Sequence, residues 1–216
     1  MSIFLKNLYE MPYTLFRKNK NLKNVLGKGN YGLNLYNVIS NGYKDEATME
    51  NFGKSKGYIL DKDLSSKTEQ FYYNPETNKM LMNIRGTASL DDIKTDFQML
   101  RGKLKETDRY KQADTKLKQA REKYKDYDRT ITSHSLGGAI SERIATPDER
   151  VISLNKADLG GKRKNHIDIR TTGDLVSSYG LLGNHYHVIG KGRLDNPLDW
   201  FTSHKAGAIK DLELFI

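Results

Sequence analysis

The sequence predicts an α/β fold, a compact, mainly parallel sheet flanked by helices. Three observations carry that expectation. Two short apolar runs, 70–73 and 79–84, flank the turn residues Asn74-Pro75-Glu76-Thr77-Asn78 and read as a β-hairpin. The second half alternates strand, helix, strand, loop, strand, and crossovers of that kind make neighbouring strands parallel. A Gly- and Ser-rich turn, Thr132-Ser133-His134-Ser135-Leu136-Gly137-Gly138-Ala139, joins the first of those strands to its helix.

In chain order, residues 1–30 are rich in Lys and Asn and form a peripheral basic arm or helix, and 31–216 form a single domain. Ile3, Leu5, Leu8, Met11, Leu15 and Phe16 suit one face of a short helix, either packed on the domain or lying on a membrane. Gly27-Lys28-Gly29 reads as a turn, because no strand precedes it and no third glycine follows in the phosphate-binding pattern. A helix is expected over 33–49, with Leu35, Val38 and Ile39 inward, then a loop to Leu64 and the hairpin. Leu90, Ile93, Phe97, Leu100 and Leu104 recur at helical spacing. Tyr110, Ala113, Leu117, Ala120 and Tyr124 make one face of a clearer helix that starts near Asp108. Strands follow at 129–132, 151–154 and 167–170, with a helix over 139–145. The basic loop 160–165 lies before the last of these strands, and His185-Tyr186-His187-Val188-Ile189 is strand-like.

Composition narrows the function classes. Of the 216 residues, 36 are Lys or Arg and 27 are Asp or Glu, a net charge of +9 that favours acidic partners. With zero Cys there is no disulfide scaffold, thiol nucleophile or cysteine-ligated metal. No run approaches the roughly 20 apolar residues of a membrane span, and the N-terminus does not read as a signal peptide, its apolar stretches being broken by Lys6, Asn7, Glu10 and Pro12.

The chemistry concentrates at the turn around Ser135. A small-x-Ser-x-Gly sequence between strand and helix is a tight elbow that lifts the serine hydroxyl off the sheet. Ser133 and Gly137 supply the small side chains two before and two after. The elbow also aims the Leu136 N–H, at the positive end of the following helix, toward a developing oxyanion.

Ile84-Arg85-Gly86-Thr87 closes the hairpin strand, and Asp92 and Asp96 follow. Arg-Gly-Thr at a strand end, a downstream aspartate cluster and His-Ser-Leu-Gly-Gly together resemble the class 3 lipase family of α/β-hydrolases, from about Phe71 to the C-terminus. The resemblance implies a serine hydrolase cleaving carboxylic esters of lipids, of triacylglycerol lipase or phospholipase type, without a cofactor. It implies Ser135 as nucleophile, with Thr87 and Leu136 N–H forming the oxyanion hole. It also implies a lid over 88–104, a stretch that reads equally well as a packed helix.

The order Ser, Asp, His of the α/β-hydrolases points to Asp174, in Thr171-Thr172-Gly173-Asp174-Leu175-Val176, as the acid, with Asp168 as competitor inside the strand. There are five histidines. His134 points away from its neighbour Ser135, and His166 precedes the acid. His204, in a late loop, is the expected base and His187 the alternative. Zinc on His185, His187 and Asp195 or Asp199 has no second cluster to support it. Two departures stand out: Ser133 replaces the first elbow glycine, and Ile93 stands where the family often has tryptophan. The expected partners are a lipid ester and an anionic membrane surface met by Lys162, Arg163 and Lys164, rather than nucleic acid. The expected compartment is the cytoplasm or, because Lys/Asn-rich compact relatives occur in viruses of protists, a virion. The rival readings are a catalytically silent module that binds acidic partners and an esterase for small soluble substrates.

Overall fold

The computed structural model describes residues 22, 26, 31–87, 103–157, 165–171, 174, 186–189 and 204–216. Among the described residues seven strands form one mixed sheet in the order β1 to β7: β1 (Ile59–Leu60), β2 (Glu69–Asn74), β3 (Lys79–Ile84), β4 (Asp128–His134), β5 (Arg150–Leu154), β6 (His166–Thr171) and β7 (Tyr186–Ile189). β1, β2 and β3 pair antiparallel, and β3 through β7 pair parallel.

Alternation along the strands builds two cores. On one face Met80, Met82, Ile84, Ile131 and Val151 pack against α3 (Asp108–Lys123) and α4 (Leu136–Ile144), numbered after α1 (Leu35–Asn41) and α2 (Glu46–Lys54). Ala113, Leu117 and Ala120, one turn apart on α3, are its buried stripe. On the other face Tyr72, Leu81, Ile152, Leu154 and Ile169 meet α1, α2 and the 3-10 helix Ala206–Leu212. Each large apolar side chain buried this way contributes about 1.5–3 kcal/mol. Leu22 and Leu26 join this second core. Residues 214–216 are tied back to the segment that leads into α1 by Leu35 N–H to Leu214 O (2.8 Å), Tyr31 N–H to Ile216 O (2.9 Å) and Ile216 N–H to Leu33 O (2.9 Å).

The helix expected over 33–49 is two helices. α1 ends at Asn41 with Gly42 as its C-cap, and Asp45 caps the second helix: its carboxylate accepts from Thr48 N–H (2.9 Å) and Thr48 Oγ1–H (2.8 Å), which starts α2. Periodicity alone does not register such a break, because both helices bury apolar residues in the same core. α3 starts at Asp108, as expected, and its N-cap is Thr107, whose Oγ1 accepts from Tyr110 N–H (3.2 Å). α4 begins at Leu136, three residues earlier than expected, because the elbow leads straight into helical backbone. The stretch from Leu90 to Leu100, the basic loop at 160–164 and the N-terminal helix expected over residues 3–16 lie outside the described residues. Among the described residues no helix is long and apolar enough to cross a membrane.

Candidate active site

The parallel register sets the frame. Ile84 pairs with Ser133, His134 with Leu154, and Leu154 with Ile169. The carboxyl ends of β3, β4, β5 and β6 therefore lie side by side, and they release Thr87, Ser135, Asn155 and Asp174 at one edge of the sheet, where α/β sheets place their sites.

Ser135 lies between β4 and α4 with φ 53° and ψ −123°, a conformation that side-chain-bearing residues rarely adopt. Its backbone is held on both sides. Ser135 N–H donates to Leu154 O (3.1 Å), and Ser135 O accepts from Gly138 N–H (2.9 Å) and Ala157 N–H (3.0 Å). Two close approaches require glycine. A Cβ at Gly137 would stand 2.2 Å from Ile84 O, and a Cβ at Gly86 would stand 2.7 Å from Ser135 Cβ. The missing side chains let the first turn of α4 press on the end of β3, which brings the Arg85-Gly86-Thr87 corner against the elbow. Ser133, in place of the first elbow glycine, is fully buried and its hydroxyl finds Ser141 Oγ at 2.9 Å. The departure is thus accommodated by one internal hydrogen bond.

The structure brings three of the expected residues together. His204 Nε2 lies 2.9 Å from Ser135 Oγ, and His204 Nδ1 lies 2.9 Å from Asp174 Oδ1. A carboxylate only accepts, so Nδ1 carries the proton and Nε2 accepts from the serine hydroxyl. All three side chains are buried. Asp174 N–H bonds Thr171 O (3.2 Å), a turn that carries the carboxylate past the end of β6. Thr87 Oγ1 is buried with no hydrogen-bond partner among the described residues, and the Leu136 N–H belongs to the first, unsatisfied turn of α4.

The competitors are placed elsewhere or not described. Asp168 accepts from Ser153 Oγ–H and faces Lys156 Nζ at 3.1 Å, and Lys156 Nζ also lies 3.2 Å from Glu142 Oε2. His166 opens β6, at the strand end opposite Asp174. The side chains of His185 and His187, and the residues Asp195 and Asp199, lie outside the described residues. Among the described residues no cluster of three or more His, Cys, Asp or Glu suits a metal ion.

Sequence reasoning did not find the groups around His134. Its Nδ1 lies 2.8 Å from Tyr43 Oη and its Nε2 2.7 Å from the carbonyl oxygen of His204. Tyr43 Oη in turn accepts from Gly86 N–H (2.8 Å). Burial, with the nearby His204 adding to it, pulls the His134 imidazole down to about 4, so the ring is neutral at neutral pH. Asn155, buried at φ 46°, donates to His204 O (3.2 Å) and accepts from Thr171 N–H (2.9 Å). Only an asparagine just past a strand, a residue type that tolerates this backbone, hints at that position in the sequence. Tyr43 carries no local signal at all.

Residues 81–147, from β3 through α4, match the family model described as Lipase (class 3). Among solved structures, Lip2 lipase from Yarrowia lipolytica superposes with a TM-score of 0.51 at 18% identity, over 80% of this chain and 82% of that one. A fungal lipase–inhibitor complex matches at TM-score 0.49 and 13% identity, covering 73% and 77%. A Rhizomucor miehei lipase propeptide complex matches at TM-score 0.44 and 10% identity, covering 78% and 69%. No curated protein sequence matches the chain. The likeness to the Yarrowia enzyme gives the fold, that of the α/β-hydrolases. The chain thus carries sequence similar to the class 3 lipase family over 81–147, on a sheet with the fold of the Yarrowia enzyme.

Proposed function

We propose that this protein is a lipase-type carboxylic ester hydrolase acting on lipid esters, with Ser135 as nucleophile, His204 as general base and Asp174 as its orienting acid. What carries the reading is the unbroken run Asp174 Oδ1, His204 Nδ1, His204 Nε2, Ser135 Oγ, with 2.9 Å at each hydrogen bond. Those lengths are within the reach that proton transfer requires.

Ser135 Oγ attacks the ester carbonyl carbon while His204 Nε2 takes the hydroxyl proton. The negative charge that develops on the carbonyl oxygen is met by Leu136 N–H and by Thr87, whose buried hydroxyl is without another partner among the described residues. His204 then gives its proton to the leaving alkoxide, and the alcohol departs. Asp174 stabilises the imidazolium in between. Water repeats the sequence on the acyl-enzyme, and the carboxylic acid leaves. Every step uses groups of the chain itself. The net charge of +9 supports work at an anionic lipid surface.

The test is labelling by a fluorophosphonate together with hydrolysis of an emulsified and a soluble ester. The folded wild type should be labelled and should turn over the emulsion faster. Ser135→Ala should lose the label and about 10⁴-fold or more of the turnover. A folded wild type that takes no label refutes the reading and leaves a silent binding module. Equal preference for the soluble ester points to an esterase instead.

A further inference from the structure

His204 follows Ser135 by 69 residues, so the reach of its ring to the serine hydroxyl is set by tertiary contacts rather than by local chain geometry. Its backbone carbonyl is the end of a hydrogen-bonded chain whose directions are forced. A carbonyl oxygen only accepts, so His134 Nε2 carries a proton and donates to His204 O at 2.7 Å. In the neutral ring Nδ1 is then an acceptor, and Tyr43 Oη–H donates to it at 2.8 Å. The Tyr43 oxygen still has lone pairs, and Gly86 N–H donates to it at 2.8 Å. Gly86 is the residue before Thr87. A second donor, Asn155 Nδ2–H, reaches the same carbonyl at 3.2 Å, while Asn155 Oδ1 accepts from Thr171 N–H, which opens the turn carrying Asp174.

We propose that Tyr43, His134 and Asn155 are positioning residues: one hydrogen-bonded chain that fixes the backbone of His204 against the Gly86-Thr87 corner on one side and against the Asp174 turn on the other. This inference rests on the reading of Ser135, Asp174 and His204 given above. None of the three residues touches the reacting atoms. Each acts by holding His204 where its Nε2 meets Ser135 Oγ. The chain joins the carboxyl ends of β3, β4, β5 and β6, so no single strand can shift at the site without breaking a buried hydrogen bond. A displacement of about 1 Å in such a group costs on the order of 100-fold in rate.

The experiment compares wild type, Tyr43→Phe, His134→Ala, His134→Gln and Ser135→Ala on a short p-nitrophenyl ester, with thermal unfolding followed by circular dichroism. His134→Ala should lower kcat about 100-fold with KM within about threefold, because the substrate-binding surface is untouched. His134→Gln should recover at least about tenfold of that loss, since an amide N–H can still reach His204 O. Tyr43→Phe should lower kcat about tenfold, as the ring stays and only the hydroxyl goes. Nitrogen-15 NMR of the wild type should show His134 as the Nε2–H tautomer, whatever the turnover. Should His134→Ala fail to fold, Tyr43→Phe and the tautomer decide. Tyr43→Phe within threefold of wild type, a glutamine no better than alanine in folded proteins, or an Nδ1–H tautomer each overturns the chain. Turnover that survives Ser135→Ala overturns the reading beneath it as well, so the two failures are distinguishable.

Discussion

Ser135 carries a cost that can be measured by removing its side chain in two ways. Its φ of 53° with ψ of −123° lies where a Cβ is crowded by its own backbone, and strain of this kind costs about 1–3 kcal/mol. Ser135→Ala deletes the hydroxyl and its bond to His204 Nε2 but keeps the strained Cβ. Ser135→Gly deletes the same bond and releases the strain. Against that release, glycine loses about 0.5–1 kcal/mol more conformational entropy on folding, and the buried Cβ gives up about 0.8 kcal/mol of packing. At an unstrained buried position those two losses make glycine about 1–2 kcal/mol worse than alanine. At position 135 they are offset, and Ser135→Gly should be as stable as Ser135→Ala or better by about 0.5 kcal/mol. For a chain of this length 1 kcal/mol moves Tm by about 2–4 °C, so the glycine variant should melt at the same temperature or about 1–2 °C higher. Urea and thermal unfolding of the two purified variants measure the difference directly, and both should be inactive. A glycine variant that melts more than about 3 °C below the alanine variant would refute the claim that the elbow is strained.

Two further outcomes follow from buried charge. His134 is pulled down to about 4 by burial, so its neutral form is favoured in the folded state and the unfolded chain binds the extra proton. Its contribution to stability is complete above about pH 6.5 and is lost as pH falls toward 4, by roughly 3 kcal/mol; the difference in unfolding free energy between wild type and His134→Gln should shrink across that window, and a flat difference would contradict it. Glu149 is fully buried, bonded to Arg121 Nε (2.8 Å), Arg121 Nη2 (2.7 Å) and Thr146 N–H (2.9 Å), with Arg129 Nε at 3.6 Å. Glu149→Ala should cost about 3–5 kcal/mol in urea unfolding, because it leaves a partly buried guanidinium without its counter-charge, and a loss under 1 kcal/mol would show that water replaces the carboxylate.

Much of this molecule is legible along the chain because its signals are local. The hairpin at 69–84 follows from apolar strands around Asn74-Pro75, and the buried stripe of α3 follows from spacing. The elbow is a strand, a small-x-Ser-x-Gly turn and a helix in direct succession, so its residues declare themselves within eight positions. Asp174 and His204 are readable as candidates from chain order and loop placement, but only as candidates: Asp168 and His187 fit the same order and are set behind them only by lying within strand-like runs. Distance separates the acids, since Asp168 is occupied by Ser153 and Lys156 while Asp174 faces His204. The break between α1 and α2 is hidden because two helices that bury residues in one core leave one continuous apolar pattern. Tyr43 is the clearest case. It reaches His134 across 91 residues of sequence and Gly86 across 43. Short-range pattern records which face a residue buries; which distant residue it meets is set by strand register and by helices closing over the sheet, and only the folded chain decides that.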